Sequence, residues 1–166
     1  MSPAPDHPRV QAVLAALRAG CAAPASIDGM RVLPDAVSTA AAAAGALGVE
    51  VGQIANSLVF TADDAPLLVL ASGAHRVNVD YLARHIGVSV IARASAAYVR
   101  EVTGQVIGGV APVGHPRRLR TVVDTALARY PEVWAAGGVP HAVFPTTYQE
   151  LLAVTGGTAA SVAGAG

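Results

Sequence analysis

The chain contains no lysine; all eleven of its basic residues are arginine. Chemistry that needs an ε-ammonium is therefore excluded, and arginine's planar, permanently charged fork is no substitute for it. A single cysteine, Cys21, leaves no internal disulfide and no multi-cysteine metal site. Aromatic residues make up only 4%, so the core must be built from Val, Leu, Ile and Ala. Charged residues are also few, at 13%, with a formal net charge of +0 and a pI near 7.0. Nothing global draws the chain to nucleic acid, and only a local contact is left open. No basic-then-apolar signal opens the sequence, and its longest apolar run is too short to span a bilayer. These absences predict a soluble, cytoplasmic protein with no membrane partner.

Several familiar sites are missing too. There is no Gly-x-x-x-x-Gly-Lys and no Gly-x-Gly-x-x-Gly following a strand, so nucleotide-binding fingerprints are absent. The histidines (His7, His75, His85, His115 and His141) are too dispersed for metal-ligand spacing, and there is no His-Glu-x-x-His. No Gly-x-Ser-x-Gly elbow occurs. Ser72-Gly73 stands near His75, but no carboxylate lies at a spacing that would orient the imidazole.

What is present is apolar and compact. With 166 residues, 53% of them hydrophobic, the chain predicts one domain over 1–166, with 1–5 and 158–166 loose. Val10, Val13, Leu14 and Leu17 fall on one helical face, opened by Asp6 or His7 with Pro8 and closed by Gly20. An alanine-rich helix follows Ser38 or Thr39 and stops at Gly48. Residues 57–60 and 67–71 predict a β-hairpin about the turn at 63–66. Further helices are expected at 79–86 after Asn78, from Ser95 to about 102, and over 148–154. Residues 24–29 read as a connection and 158–166 as a frayed tail. Strands are expected at 30–33, 88–92, 119–123, 133–136 and 142–144. This order is not a strict strand–helix alternation, so a doubly wound parallel sheet is disfavoured. A mixed, curled sheet flanked by helices fits better, an α+β fold.

The stretch over 102–115 reads Val-Thr-Gly-Gln-Val-Ile-Gly-Gly-Val-Ala-Pro-Val-Gly-His. Its glycines allow positive φ and close backbone approach, either in a tight turn or in a loop whose N–H groups cradle an oxyanion. The basic cluster Arg117, Arg118 and Arg120 follows; it is either a solvated face or a phosphate contact.

Three ordered blocks say more together. They are Val-Gly-Gln-Ile-Ala-Asn-Ser-Leu-Val-Phe at 51–60, Thr-Gly-Gln-Val-Ile-Gly-Gly-Val-Ala-Pro-Val-Gly at 103–114, and Trp-Ala-Ala-Gly-Gly at 134–138. The third is followed by a strand at 142–144 and a helix at 146–155. Over roughly 30–157 the sequence resembles the YbaK/ProX family of aminoacyl-tRNA deacylases, relatives of the editing domain of bacterial prolyl-tRNA synthetases. The resemblance implies a mixed, partly barrel-like sheet flanked by helices. It implies hydrolysis of the ester of a mischarged tRNA carrying a small amino acid (of the tRNA-Pro type or related), with no metal or organic cofactor. The partners it implies are the 3′ aminoacyl-adenosine end of tRNA and an aminoacyl-tRNA synthetase. It assigns ester chemistry to Asn56, Ser57, Gly108 and Gly109. Val110, Ala111, Pro112, Gly137, Gly138 and His141 become the substrate pocket, and Arg117, Arg118 and Arg120 contacts to the acceptor stem. The family's lysine falls on Asn56 here. An amide donates only a neutral hydrogen bond, about half as strong as a charge-assisted one, so a catalytically weakened binding module is the alternative.

Overall fold

Two adjacent aspartates turn the chain at the centre of the sheet. The computed structural model describes residues 6–164; the expected loose residues 1–5 lie outside the described part, as do the last two of the tail. Asp63 and Asp64 take φ of 49° and 68°, a conformation that aspartate tolerates better than bulky residues. They join β2 (Ile54–Ala62) to β3 (Ala65–Ser72) in an antiparallel ladder running from Ala62↔Ala65 to Ala55↔Ser72. The expected hairpin is present with longer strands, because ladder pairing recruits residues of weak β-propensity such as Asn56 and Ala65.

Six further strands complete one mixed sheet: β1 (Arg31–Val32), β4 (Ile91–Arg93), β5 (Arg120–Asp124), β6 (Val133–Ala136), β7 (Ala142–Thr146) and β8 (Thr158–Ala160). Their order is β1-β7-β6-β2-β3-β5-β8, with β4 added to β2. β3 runs antiparallel to β2 and parallel to β5. Both of its faces are covered, which explains its unbroken apolar reading. Leu68 and Leu70 enter one core with residues of α1 (Pro8–Ala19), α5 (Ala96–Thr103) and α6 (Tyr148–Thr155). Leu67, Val69 and Ala71 enter another with α4 (Val79–Ile86). A third cluster seats α3 (Ala40–Leu47) on Ile54, Trp134 and Val143. Most helix starts follow the expected chemistry: His7, Thr39, Asn78, Ser95 and Thr147 each accept a backbone N–H within the first turn.

Three expectations are corrected. The connection at 24–29 contains a short helix, α2 (Pro24–Asp28), started by its proline. The strand expected from 88 begins only at Ile91, because the N–H groups of Ser89 and Val90 are held by the Asp63 carboxylate. These bonds lower the Asp63 pKa. The tail expected to be loose from 158 pairs with β5 as β8, with Ala160 and Val162 buried. Small residues at that edge let the chain lie flat along β5 and cover its open hydrogen-bonding groups.

Candidate functional site

The sheet has a notch. On the side away from β3, β6 pairs only Ile54 and Ala55 of β2, and β4 pairs only Phe60 to Ala62. Among the described residues no strand pairs with 56–59 on that side. A cavity of about 250 Å³ opens there, lined by residues from both faces of the sheet. Side chains alternate along a strand. Ile54, Asn56 and Leu58 therefore reach it from the α3 face, and Ala55 and Ser57 from the other. The gap between β6 and β4 is what lets one cavity be lined from both faces.

The polar atoms at this notch are unusually short of partners. The Asn56 amide makes no hydrogen bond among the described residues. Ser57 Oγ and Trp134 Nε1 are both buried without one. A buried polar group left unpaired costs about 1–3 kcal/mol, so Ser57 Oγ and Trp134 Nε1, with the half-buried Asn56 amide beside them, mark this cavity as the candidate ligand site. Arg31 lies over the Trp134 ring at 4.9 Å and helps hold it.

The glycine-rich loop forms the opposite wall. Gly108 takes φ of 91°, and a Cβ there would stand 3.2 Å from Ser38 Cβ; the loop thus closes against the segment that leads into α3. Gln105, buried at 2% exposure, holds the loop from inside: its Oε1 accepts the Ala111 N–H at 2.8 Å. His115 Nε2–H donates to the Ala111 carbonyl at 2.8 Å. Burial lowers the pKa of His115, partly offset by that bond.

The structure separates the residues singled out in the sequence. Asn56, Ser57, Gly108 and Val110 come together at the cavity. Gly109 sits in the same loop, but its N–H donates to the Val106 carbonyl at 2.9 Å and a Cβ there would meet Val139 and Pro140. Ala111 is fully buried with its N–H and carbonyl both occupied. Pro112, Arg117 and Arg118 line a different cleft. Gly137 and Gly138 make the tight β6–β7 turn, packed on Met30, Arg9 and Val13, and His141 is exposed beside His7 and Arg9. Arg120 points to the Ile86 carbonyl at 3.0 Å. Sequence reasoning missed Ser38, Thr39, Trp134 and Pro140, which line the cavity, and exposed Ile107 at its edge. None carries a catalytic signature, and only the chain's path brings them there.

Among the described residues no cluster of three or more His, Cys, Asp or Glu is placed to hold a metal. No described helix is long and apolar enough to cross a membrane.

Comparisons with known proteins identify the family and the fold. The profile of the aminoacyl-tRNA editing domain matches residues 34–154. The proline–tRNA ligase of Citrifermentans bemidjiense is 33% identical over 81 residues, 49% of this chain and 14% of the ligase. That of Streptococcus sanguinis is 31% identical over 78 residues, 47% of this chain and 13% of the ligase. The chain thus corresponds to a small part of these relatives' length. A solved structure of a proposed trans-editing enzyme for prolyl tRNA synthetase superposes with a TM-score of 0.84 at 40% identity, covering 96% of this chain and 99% of that one. The hypothetical protein APE2540 superposes at 0.81 with 28% identity, covering 91% and 98%. The chain belongs to the aminoacyl-tRNA editing domain family.

Proposed function

We propose that this member of the editing-domain family hydrolyses, in trans, the ester linking a small wrong amino acid to the 3′ adenosine of a tRNA of the tRNA-Pro type. The observation that carries the reading is the cavity in the β2 notch, where the unpartnered Asn56 amide stands across from the Gly108 loop. An aminoacyl ester is already activated, so the protein need only hold it, admit water and stabilise the oxyanion. The Gly108 N–H has no hydrogen-bond partner among the described residues, whereas that of Gly109 is occupied. Gly108 and Asn56 are therefore the donors for the developing oxyanion. Removing one such donor costs about 10²–10³ in rate. Val110, Ala135 and Ala142 line the cavity with small or apolar groups, which supports selection of a small side chain by size. Size alone discriminates by roughly 10–200-fold per methylene. This reading carries with it a cytoplasmic reaction and a synthetase as the source of the error.

The test is release of amino acid from a panel of mischarged tRNAs. Turnover of at least one above the spontaneous rate, lost in Asn56→Ala, is expected; no release from any would sink the reading. Asn56 at the family's lysine position favours a second reading, a module that binds the aminoacyl end without turnover. It predicts tight binding by the wild type and hydrolysis only after Asn56→Lys.

A further inference from the structure

The glycine-rich loop has a second side. Its C-terminal end turns back against α1 and α6 and walls a cleft of about 240 Å³, to which Arg117, Arg118 and His115 contribute. No aspartate or glutamate lines this cleft. Among the described residues neither guanidinium has an ion pair or a hydrogen bond. The Arg118 guanidinium lies over the bare backbone of Gly156, where a Cβ would stand 2.7 Å from Nη1. Arg120, the third arginine of the run, turns away to the Ile86 carbonyl.

Both arginines bring positive charge to the rim of a cleft that no carboxylate lines, although the whole chain has a formal charge of +0. A planar fork that keeps all its donors free matches the oxygens of a phosphate group. His115 also lines the cleft; it donates Nε2–H to the loop, and burial lowers its pKa. An anion beside it would oppose that lowering.

We propose that this cleft is a phosphate-binding site in which Arg117 and Arg118 bind the non-bridging oxygens of one phosphate group. The group comes either from a phosphodiester of the tRNA acceptor strand or from a free phosphate compound. The first source rests on the editing reading; the second does not.

The test titrates the full chain with inorganic phosphate at constant ionic strength, following the Arg117 and Arg118 Nε and His115 ring resonances by NMR. A parallel arm uses an uncharged acceptor-stem minihelix. Saturable shifts at these residues in either arm are expected, weakened at least tenfold in Arg117→Gln/Arg118→Gln and retained in Arg84→Gln, an exposed control. A minihelix response lost in the double variant, with its salt slope reduced by about one to two, identifies the acceptor strand as the source. A phosphate response with minihelix binding unchanged identifies a free phosphate compound. No shift in either arm, or equal binding by the double variant, would overturn the site. Hydrolysis of an aminoacyl-adenosine, which lacks upstream phosphates, tests the editing reading apart from this cleft and should be unchanged in Arg84→Gln. Its absence in the wild type counts against the editing reading alone and leaves the phosphate titration intact.

Discussion

Two polar regions flank the same hairpin, and they are built in opposite ways. At the end of β3, the buried Asp124 carboxylate receives the Ser72 N–H, the Ala126 N–H and the His75 Nδ1–H, each at 3.0 Å. Ser72 Oγ donates to the Gly52 carbonyl and His75 N–H to the Ser72 carbonyl. A few residues away, the Asn56 amide and Ser57 Oγ on β2 and Trp134 Nε1 on β6 have no partners among the described residues. The first region supplies the carboxylate that the sequence around Ser72 and His75 lacked, yet the Ser72 hydroxyl is spent on backbone. A serine, a histidine and an aspartate in contact are here a brace; the loose polar atoms belong to the candidate site. Satisfied networks hold a fold rigid, whereas unsatisfied ones around a cavity await a ligand.

Substitutions can break that contrast. The largest effect is expected from Asp124→Ala, which strands two backbone N–H groups and an imidazole. Chemical denaturation should show a loss of about 3–5 kcal/mol, with hydrolysis per folded molecule little altered. Asn56→Ala should do the reverse: a rate lower by about 10²-fold or more in single-turnover deacylation, with stability within about 0.5 kcal/mol of wild type. If Asn56→Ala instead unfolds the protein and leaves the rate intact, the contrast is wrong.

Trp134→Phe sharpens the comparison, because it removes an orphan donor while keeping an aromatic ring. Loss of the larger indole from the core should cost about 1 kcal/mol of stability, offset in part by removal of the buried unpaired N–H. Substrate affinity should fall by about 1 kcal/mol, or roughly fivefold, if the indole N–H meets the substrate. The smallest effect concerns His115. Its folded pKa lies below the usual 6.5. The neutral form is favoured by folding, so the stabilisation is full above pH 6.5 and declines as pH falls from there through the folded pKa. Denaturation midpoints of His115→Gln should be flatter with pH in that window than those of wild type.

Much of the fold was legible because local chemistry and tertiary structure agree. The caps at Thr39, Asn78, Ser95 and Thr147, the stops at Gly48 and Gly87 and the hairpin at Asp63-Asp64 follow from preferences that operate within a few residues. The β8 edge was not legible, since an Ala/Gly-rich tail carries little strand propensity and gains its order from β5. The same limit applies to the site. The ordered blocks around Asn56 and Gly108 could be found in the sequence. That the Gly109 and Ala111 N–H groups are occupied could not, because Val106 and Gln105 become their partners only when the loop folds on itself.

The sequence by itself determined the chemistry available: no lysine, a neutral amide at position 56, and glycines where backbone must come close. It determined the α+β class as well, through periodicities of 2 and 3.6 residues that need no knowledge of distant contacts. Tertiary structure alone decided which polar groups stay free. β6 leaves β2 after Ala55 and β4 joins it only at Phe60, and that gap opens a cavity lined from both faces of the sheet. Strand pairing is a relation between residues far apart in the chain, and no local pattern encodes where it stops.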